Sequence, residues 1–120
     1  MRDIFTPSGA TPALPAGARE ATHEEAIERV GRALADATRR RLLLALLSGP
    51  AYPAQLAETL HLTRANVSNH LSCLRGCGLV VGTPQGRQVR YELADPRLTH
   101  ALADLLDAVL TIDPAHQVTA

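Results

Sequence analysis

The sequence predicts a mainly α fold with a β-hairpin wing, a dimeric winged helix-turn-helix of about five helices and two strands. Three observations point there. Apolar residues recur at helical spacing in four successive segments, the period falls to two after a pair of glycines, and helical spacing returns near the end. A short helix, a turn, a helix with a polar outer face and a hairpin follow one another in the order of that fold. At 120 residues the chain suits one domain.

Residues 1–21 carry Pro7, Gly9, Pro12, Pro15 and Gly17 without apolar periodicity, so a flexible N-terminal arm is expected there. The DNA-binding and dimerisation domain is expected over 22–113 and a short tail over 114–120. Thr22 and Glu25 make a capping box, after which Ala26, Ile27, Val30, Ala33 and Leu34 form the first apolar stripe. Asp36 or Thr38 caps a second helix whose Leu42, Leu43, Leu46 and Leu47 fill the centre of the core, and Gly49-Pro50 ends it. Pro53 opens a short third helix with Leu56, Ala57 and Leu60 inside, and His61-Leu62 is the turn.

Thr63 caps a fourth helix that runs to about Arg75. Val67, Leu71 and Leu74 face inward at i, i+4 and i+7, which leaves Arg64, Ser68, Asn69, Ser72 and Arg75 outside. Gly76 and Gly78 break the helix, and Leu79–Gly82 and Gln88–Leu93 then alternate around Pro84-Gln-Gly86, which is hairpin chemistry. Asp95-Pro96 opens the last helix. Its Leu98, Leu102, Leu105, Leu106, Val109 and Leu110 spread over more than one face, more than so small a domain can bury, so a second copy is the expected cover.

Total charge argues against a nucleic-acid binder, because 12 basic and 12 acidic residues cancel. By segment the chain is bipolar. Residues 37–100 hold eight arginines against Glu58, Glu92 and Asp95, a balance of +5, between flanks of −2 and −3. A dimer with such a centre would meet several phosphates and show a steep salt dependence. With Phe5, Tyr52 and Tyr91 as its aromatics the chain is too poor in rings for a base-stacking platform, which excludes single-strand and RNA modules of that kind.

The polar face offers Thr63, Arg64, Asn66, Ser68, Asn69 and His70 to a major groove, where arginine, asparagine and serine can address base edges and phosphates. Arg87 and Arg90 are expected to reach phosphate or minor groove from the wing. His70 adjoins the buried Leu71, so packing is its alternative role. For Arg39, Arg40 and Arg41 phosphate contact and plain solvation fit equally well. A polar-faced helix alone is ordinarily just solvated, so the turn and the wing carry the assignment.

Leu62-Thr-Arg-Ala-Asn-Val-Ser-Asn-His-Leu-Ser-Cys-Leu-Arg-Gly-Cys-Gly-Leu-Val-Val81, followed by Gly86-Arg-Gln-Val-Arg-Tyr-Glu-Leu93, resembles the ArsR/SmtB family of bacterial metal-responsive repressors. Gly31-Arg-Ala-Leu-Ala-Asp36 and Thr38-Arg39 extend the resemblance, which covers about residues 24–113 and is closest to the CmtR-type branch that senses cadmium and lead. It implies a homodimer built on the first and last helices, which represses by occupying an operator and lets go when metal binds.

The resemblance places Cys73 and Cys77 on the two thiolate ligands of that branch. Their spacing agrees, since residues i and i+4 on a helix lie about 6 Å apart. Soft thiolates favour soft cations, so cadmium or lead is implied as inducer, with zinc and copper(I) as further candidates and no organic cofactor. That branch takes a third cysteine from its C-terminal tail; here the tail has none, and His116 is the donor near the required place. The other metal sites of the family lack their residues: the third helix has no paired cysteines, and the last helix has no Asp-x-His pattern.

Rival readings remain open at this level. The two cysteines could be small buried residues behind the helix, or a thiol redox pair that releases DNA by forming a disulfide, which the helix geometry resists unless its end unwinds. A metal-independent winged-helix repressor and a DNA-free interaction module are further alternatives. An enzyme, such as a thiol oxidoreductase using Cys73 with His70, lacks an activated-nucleophile motif, so none is expected. Two cysteines four positions apart cannot frame a secreted disulfide scaffold, the opening residues lack a signal-peptide stretch and no apolar run is long enough to span a bilayer, so a cytoplasmic protein is expected.

Overall fold

A computed structural model describes residues 16–112, with side chains described over 22–111. Residues 1–15 of the expected arm and residues 113–120, including His116, lie outside the described residues. The elements are α1 (Ala16–Ala35), α2 (Ala37–Leu46), α3 (Pro53–Leu60), α4 (Arg64–Gly76), β1 (Val80–Gln85), β2 (Gln88–Leu93) and α5 (Pro96–Ile112).

The first boundary is a correction. α1 begins at Ala16 rather than Thr22, so Thr22 lies within the helix and residues 16–21 belong to it rather than to an arm. Ala16, Ala18, Arg19, Glu20 and Ala21 are strong helix formers that follow Pro15 without a breaker other than Gly17, and their summed propensity outweighs the capping signal at Thr22.

α1 and α2 meet at Asp36, whose Oδ2 accepts the Arg39 backbone N–H at 3.0 Å; of the two expected caps, Asp36 serves. The carbonyls that end α1 are taken up by the arginines of α2. Arg39 donates from Nε to Ala33 O (3.2 Å) and from Nη2 to Arg32 O (2.8 Å), while Arg40 Nη1 donates to Leu34 O and Ala35 O, both at 2.9 Å. These groups have no partner inside their own helix, and the next helix supplies one.

Pro53 is the first residue of α3, where its missing N–H costs nothing. α3 ends on His61, which takes a left-handed φ of 58°, so that Leu62 N–H returns to Ala57 O at 2.9 Å. Arg41 Nη2 closes the same end by donating to Leu60 O at 2.6 Å. Thr63 Oγ1 accepts Asn66 N–H at 3.0 Å and starts α4. α4 runs through Gly76 and stops at Gly78, whose φ of 82° lets Gly78 N–H reach Arg75 O and Leu79 N–H reach Leu74 O.

The core is the meeting of these short helices with the base of the hairpin. Leu42, Leu43 and Leu46 of α2, Leu56 and Ala57 of α3, and Val67, Leu71 and Leu74 of α4 are buried together with Ala33, Leu79, Val80 and Leu93. β1 and β2 pair antiparallel from Val80↔Leu93 to Gln85↔Gln88. The hairpin turns at Gly86-Arg87 and leaves Pro84 inside β1; Gly86 has φ 64°, as a two-residue loop with glycine first requires. Ala51 adds a short third edge by exchanging two backbone hydrogen bonds with Tyr91 (2.9 and 2.8 Å). Tyr52 OH also donates to Gln85 Oε1 at 3.2 Å, so the wing is fastened to the segment that leads into α3.

Candidate nucleic-acid interface and thiolate pair

α4 presents one apolar face and one open face. Val67, Leu71 and Leu74 are buried, while Arg64, Ser68, Asn69, Ser72, Cys73 and Arg75 are exposed. Of the expected reading residues, Thr63, Arg64, Ser68 and Asn69 share the open side and Asn66 is half-buried beside them. The Thr63 oxygen is engaged as the helix cap, which leaves its hydroxyl hydrogen to donate outward. His70 stands apart: its side chain is 22% exposed and turns to Asp36, with Nδ1 3.7 Å from Oδ2.

The two wing arginines differ. Arg87 sits at the exposed tip of the hairpin, whereas Arg90 is partly buried on β2 and pairs with Glu92 at 3.5 Å. Arg97 is clamped by Asp95 at 2.8 Å, and Asp95 also accepts the Arg97 backbone N–H at 2.8 Å. The Arg97 side chain, and then its backbone N–H, hold the Asp95 carboxyl at a pKa of about 2. The arginines of the central segment thus divide by role. Arg39, Arg40 and Arg41 bind carbonyls, Arg90 and Arg97 bind carboxylates, and among the described residues Arg64, Arg75 and Arg87 have no hydrogen-bond or ion-pair partner. No local signal marks Arg39–Arg41 as caps of α1 and α3, because the carbonyls they bind are brought near only by the chain's turns.

Cys73 is exposed and Cys77 half-buried, both as free thiols. They flank the last turn of α4, where Cys77 N–H donates to Cys73 O at 3.0 Å. Two soft donors one turn apart and open to solvent suit a thiophilic cation. Among the described residues no cluster of three or more histidine, cysteine, aspartate or glutamate side chains could hold a metal ion. The expected fellow ligand, His116, is outside the described residues.

α5 carries the other open feature. Leu98 and Leu102 are half-buried against the core, whereas Leu105, Leu106, Val109 and Leu110 are exposed in the single chain. On α1, Ile27 is 71% exposed.

The model of the arsR family of bacterial regulatory proteins matches residues 36–81, the stretch from the α2 cap through α4 to the start of the wing. The HTH-type transcriptional regulator CmtR of Mycobacterium tuberculosis is 66% identical over 90 residues, 75% of this chain and 76% of CmtR. The chain belongs to the arsR family. As an arsR-family protein it is a DNA-binding transcriptional regulator and not an enzyme.

The fold comparison agrees. The NMR structure of the cadmium metal-sensor CMTR from Mycobacterium tuberculosis superposes with a TM-score of 0.59 at 67% identity, covering 68% of this chain and 85% of that one. A homodimeric winged helix-turn-helix DNA-binding domain from Mycobacterium bovis, at 23% identity, gives 0.68 over 85% of this chain and 92% of that one. The five helices and hairpin found here are that winged fold. No described helix is long and apolar enough to cross a membrane.

Proposed function

We propose that this arsR-family regulator is a cytoplasmic homodimeric repressor that occupies its operator through α4 and the wing and releases it when a soft metal ion binds Cys73 and Cys77. Thr63, Arg64, Asn66, Ser68 and Asn69 address the major groove, and Arg87, with Arg90 behind it, meets phosphate or minor groove. The apolar face of α5 packs against a second copy, which sets two reading helices about one DNA turn apart, ~34–36 Å.

The observation that carries this reading is the position of the thiol pair. Cys73 and Cys77 occupy the last turn of the helix whose exposed face carries Arg64, Ser68 and Asn69. A cation held there, cadmium by the precedent of the CMTR cadmium sensor or lead as another thiophilic ion, supplies a clamp across that turn. His116 is the candidate third donor. Coupling free energies of such switches are typically about 1–3 kcal/mol, or roughly 5–150-fold in operator affinity.

Fluorescence-anisotropy titration of a labelled operator duplex tests it, with cadmium, lead, zinc, copper(I) and a peroxide added in turn. Cadmium or lead should release the wild type and produce sulfur-to-metal charge-transfer absorbance. The Cys73→Ser/Cys77→Ser variant should bind the duplex and stay bound. Normal metal release by that variant sinks the site, and release by peroxide alone would favour a redox pair.

A further inference from the structure

The joint between α1 and α2 holds more polar contacts than a change of direction needs. Asp36 caps α2, Arg39 and Arg40 satisfy the end of α1, and a fourth residue arrives from a third helix when His70 of α4 brings Nδ1 to 3.7 Å from Asp36 Oδ2. The Arg39 backbone N–H above all, with His70 and the Arg39 guanidinium adding to it, keeps the Asp36 carboxyl below its ordinary value despite partial burial, so this oxygen is a carboxylate facing the imidazole.

His70 is also well placed along α4. Asn66 lies one turn before it and Cys73 one turn after it, on the flank between the open face and the core. The remaining attachment of α4 is apolar, through Val67, Leu71 and Leu74. The fully buried Val67, Leu71 and Leu74 choose the inward face of α4, and a polar contact to a fixed carboxylate adds a directional restraint on the flank of that helix.

We propose that His70 is a positioning residue for operator recognition: its contact with Asp36 sets the roll of α4 against the α1–α2 joint, and so aims Arg64, Ser68 and Asn69. The inference rests on the reading of α4 as the DNA-reading helix. It moves His70 from the set that touches DNA to the set that orients those residues.

The test uses a duplex selected from a random-sequence pool by the full-length wild type, with affinity measured by anisotropy over a range of salt concentrations. His70→Ala should weaken binding about fivefold, a size usual for contacting residues, with the salt slope unchanged. His70→Asn should restore most of the loss, because its Nδ2 stands where Nδ1 stood while the far ring nitrogen is gone. The Asp36 oxygen that caps α2 is also the one that faces His70; Asp36→Gly is well tolerated at a helix N-cap and removes that oxygen, and in that background His70→Ala should cost nothing more.

Three results overturn the proposal: equal affinity for all variants, strictly additive losses at the two positions, or a salt slope lowered by His70→Ala with no rescue by asparagine, which would make His70 a DNA contact. Melting curves establish that each variant is folded, and if His70→Ala is not, His70→Asn and Asp36→Gly carry the comparison. If the wild type selects no duplex, the reading of α4 fails first and this inference with it.

Discussion

The ring of Tyr91 lies across Gly82, its cross-strand partner, so closely that a Cβ on Gly82 would stand 2.9 Å from Tyr91 Cε1 and 2.9 Å from Val89 Cγ1. Tyr91 is also the residue that bonds Ala51, so this close approach sits where the wing joins the body of the domain. Gly82→Ala should therefore overpack the wing base and lower stability by roughly 1–3 kcal/mol. Urea unfolding measures the loss; an unchanged midpoint would mean that the ring and Val89 swing aside freely.

Arg87 and Arg40 offer a contrast between two exposed arginines. Arg87 has no partner among the described residues, so Arg87→Ala should flatten the slope of log affinity against log salt by roughly 0.9 for each protomer. Arg40 is committed to Leu34 O and Ala35 O, so Arg40→Ala should leave that slope alone and instead lower stability by about 1 kcal/mol. Arg90→Ala should flatten the slope less than Arg87→Ala, since Glu92 neutralises part of its charge. The same salt titration reads all three, and equal slopes for Arg87→Ala and wild type would remove the wing tip from the contact set.

Acid should loosen the start of α5. The Asp95 pKa falls from 3.8 to about 2 through Arg97, so the folded state favours the ionised form. A lowered carboxyl pKa contributes stability above pH 3.8 that is lost as pH falls through about 2. Because the pair is exposed, the effect is small. Asp95→Asn should have a shallower fall of melting temperature in that pH window than the wild type. Parallel curves for the two proteins would contradict the pairing.

Self-association should depend on the outer face of α5. Val109 is 49% exposed in the single chain, so Val109→Glu leaves the domain's own core intact while placing a carboxylate in the proposed dimer contact. Sedimentation equilibrium should show the variant shifted to monomer, with operator affinity reduced and the far-UV circular dichroism of the wild type retained. A variant that remains dimeric would assign the contact to other residues.

The order of elements was legible because each is written locally. Thr63 three residues before Asn66, Pro53 at the head of α3, Val67, Leu71 and Leu74 at helical spacing, and Gly86 at the hairpin turn act within one or two turns of chain. The misplaced boundary at Thr22 shows two local signals in competition: a capping pattern lies inside a stretch whose alanines already favour helix. The first strand was also placed too short, since Pro84, expected in the turn, pairs within β1. The thiol pair was legible for the same reason, since i and i+4 fix their separation whatever the rest of the fold does.

What the sequence by itself determined is the winged helix-turn-helix, its open-faced α4 and the paired thiols at the end of that helix. The tertiary structure alone decided how the charged side chains are spent. Arg41 finds Leu60 O from 19 residues away, Tyr52 finds Gln85 from 33, and His70 finds Asp36. The physical reason is reach: caps and periodicity act within a few residues, whereas an arginine's or histidine's partner is whichever polar group the turns of the chain bring within a few ångströms.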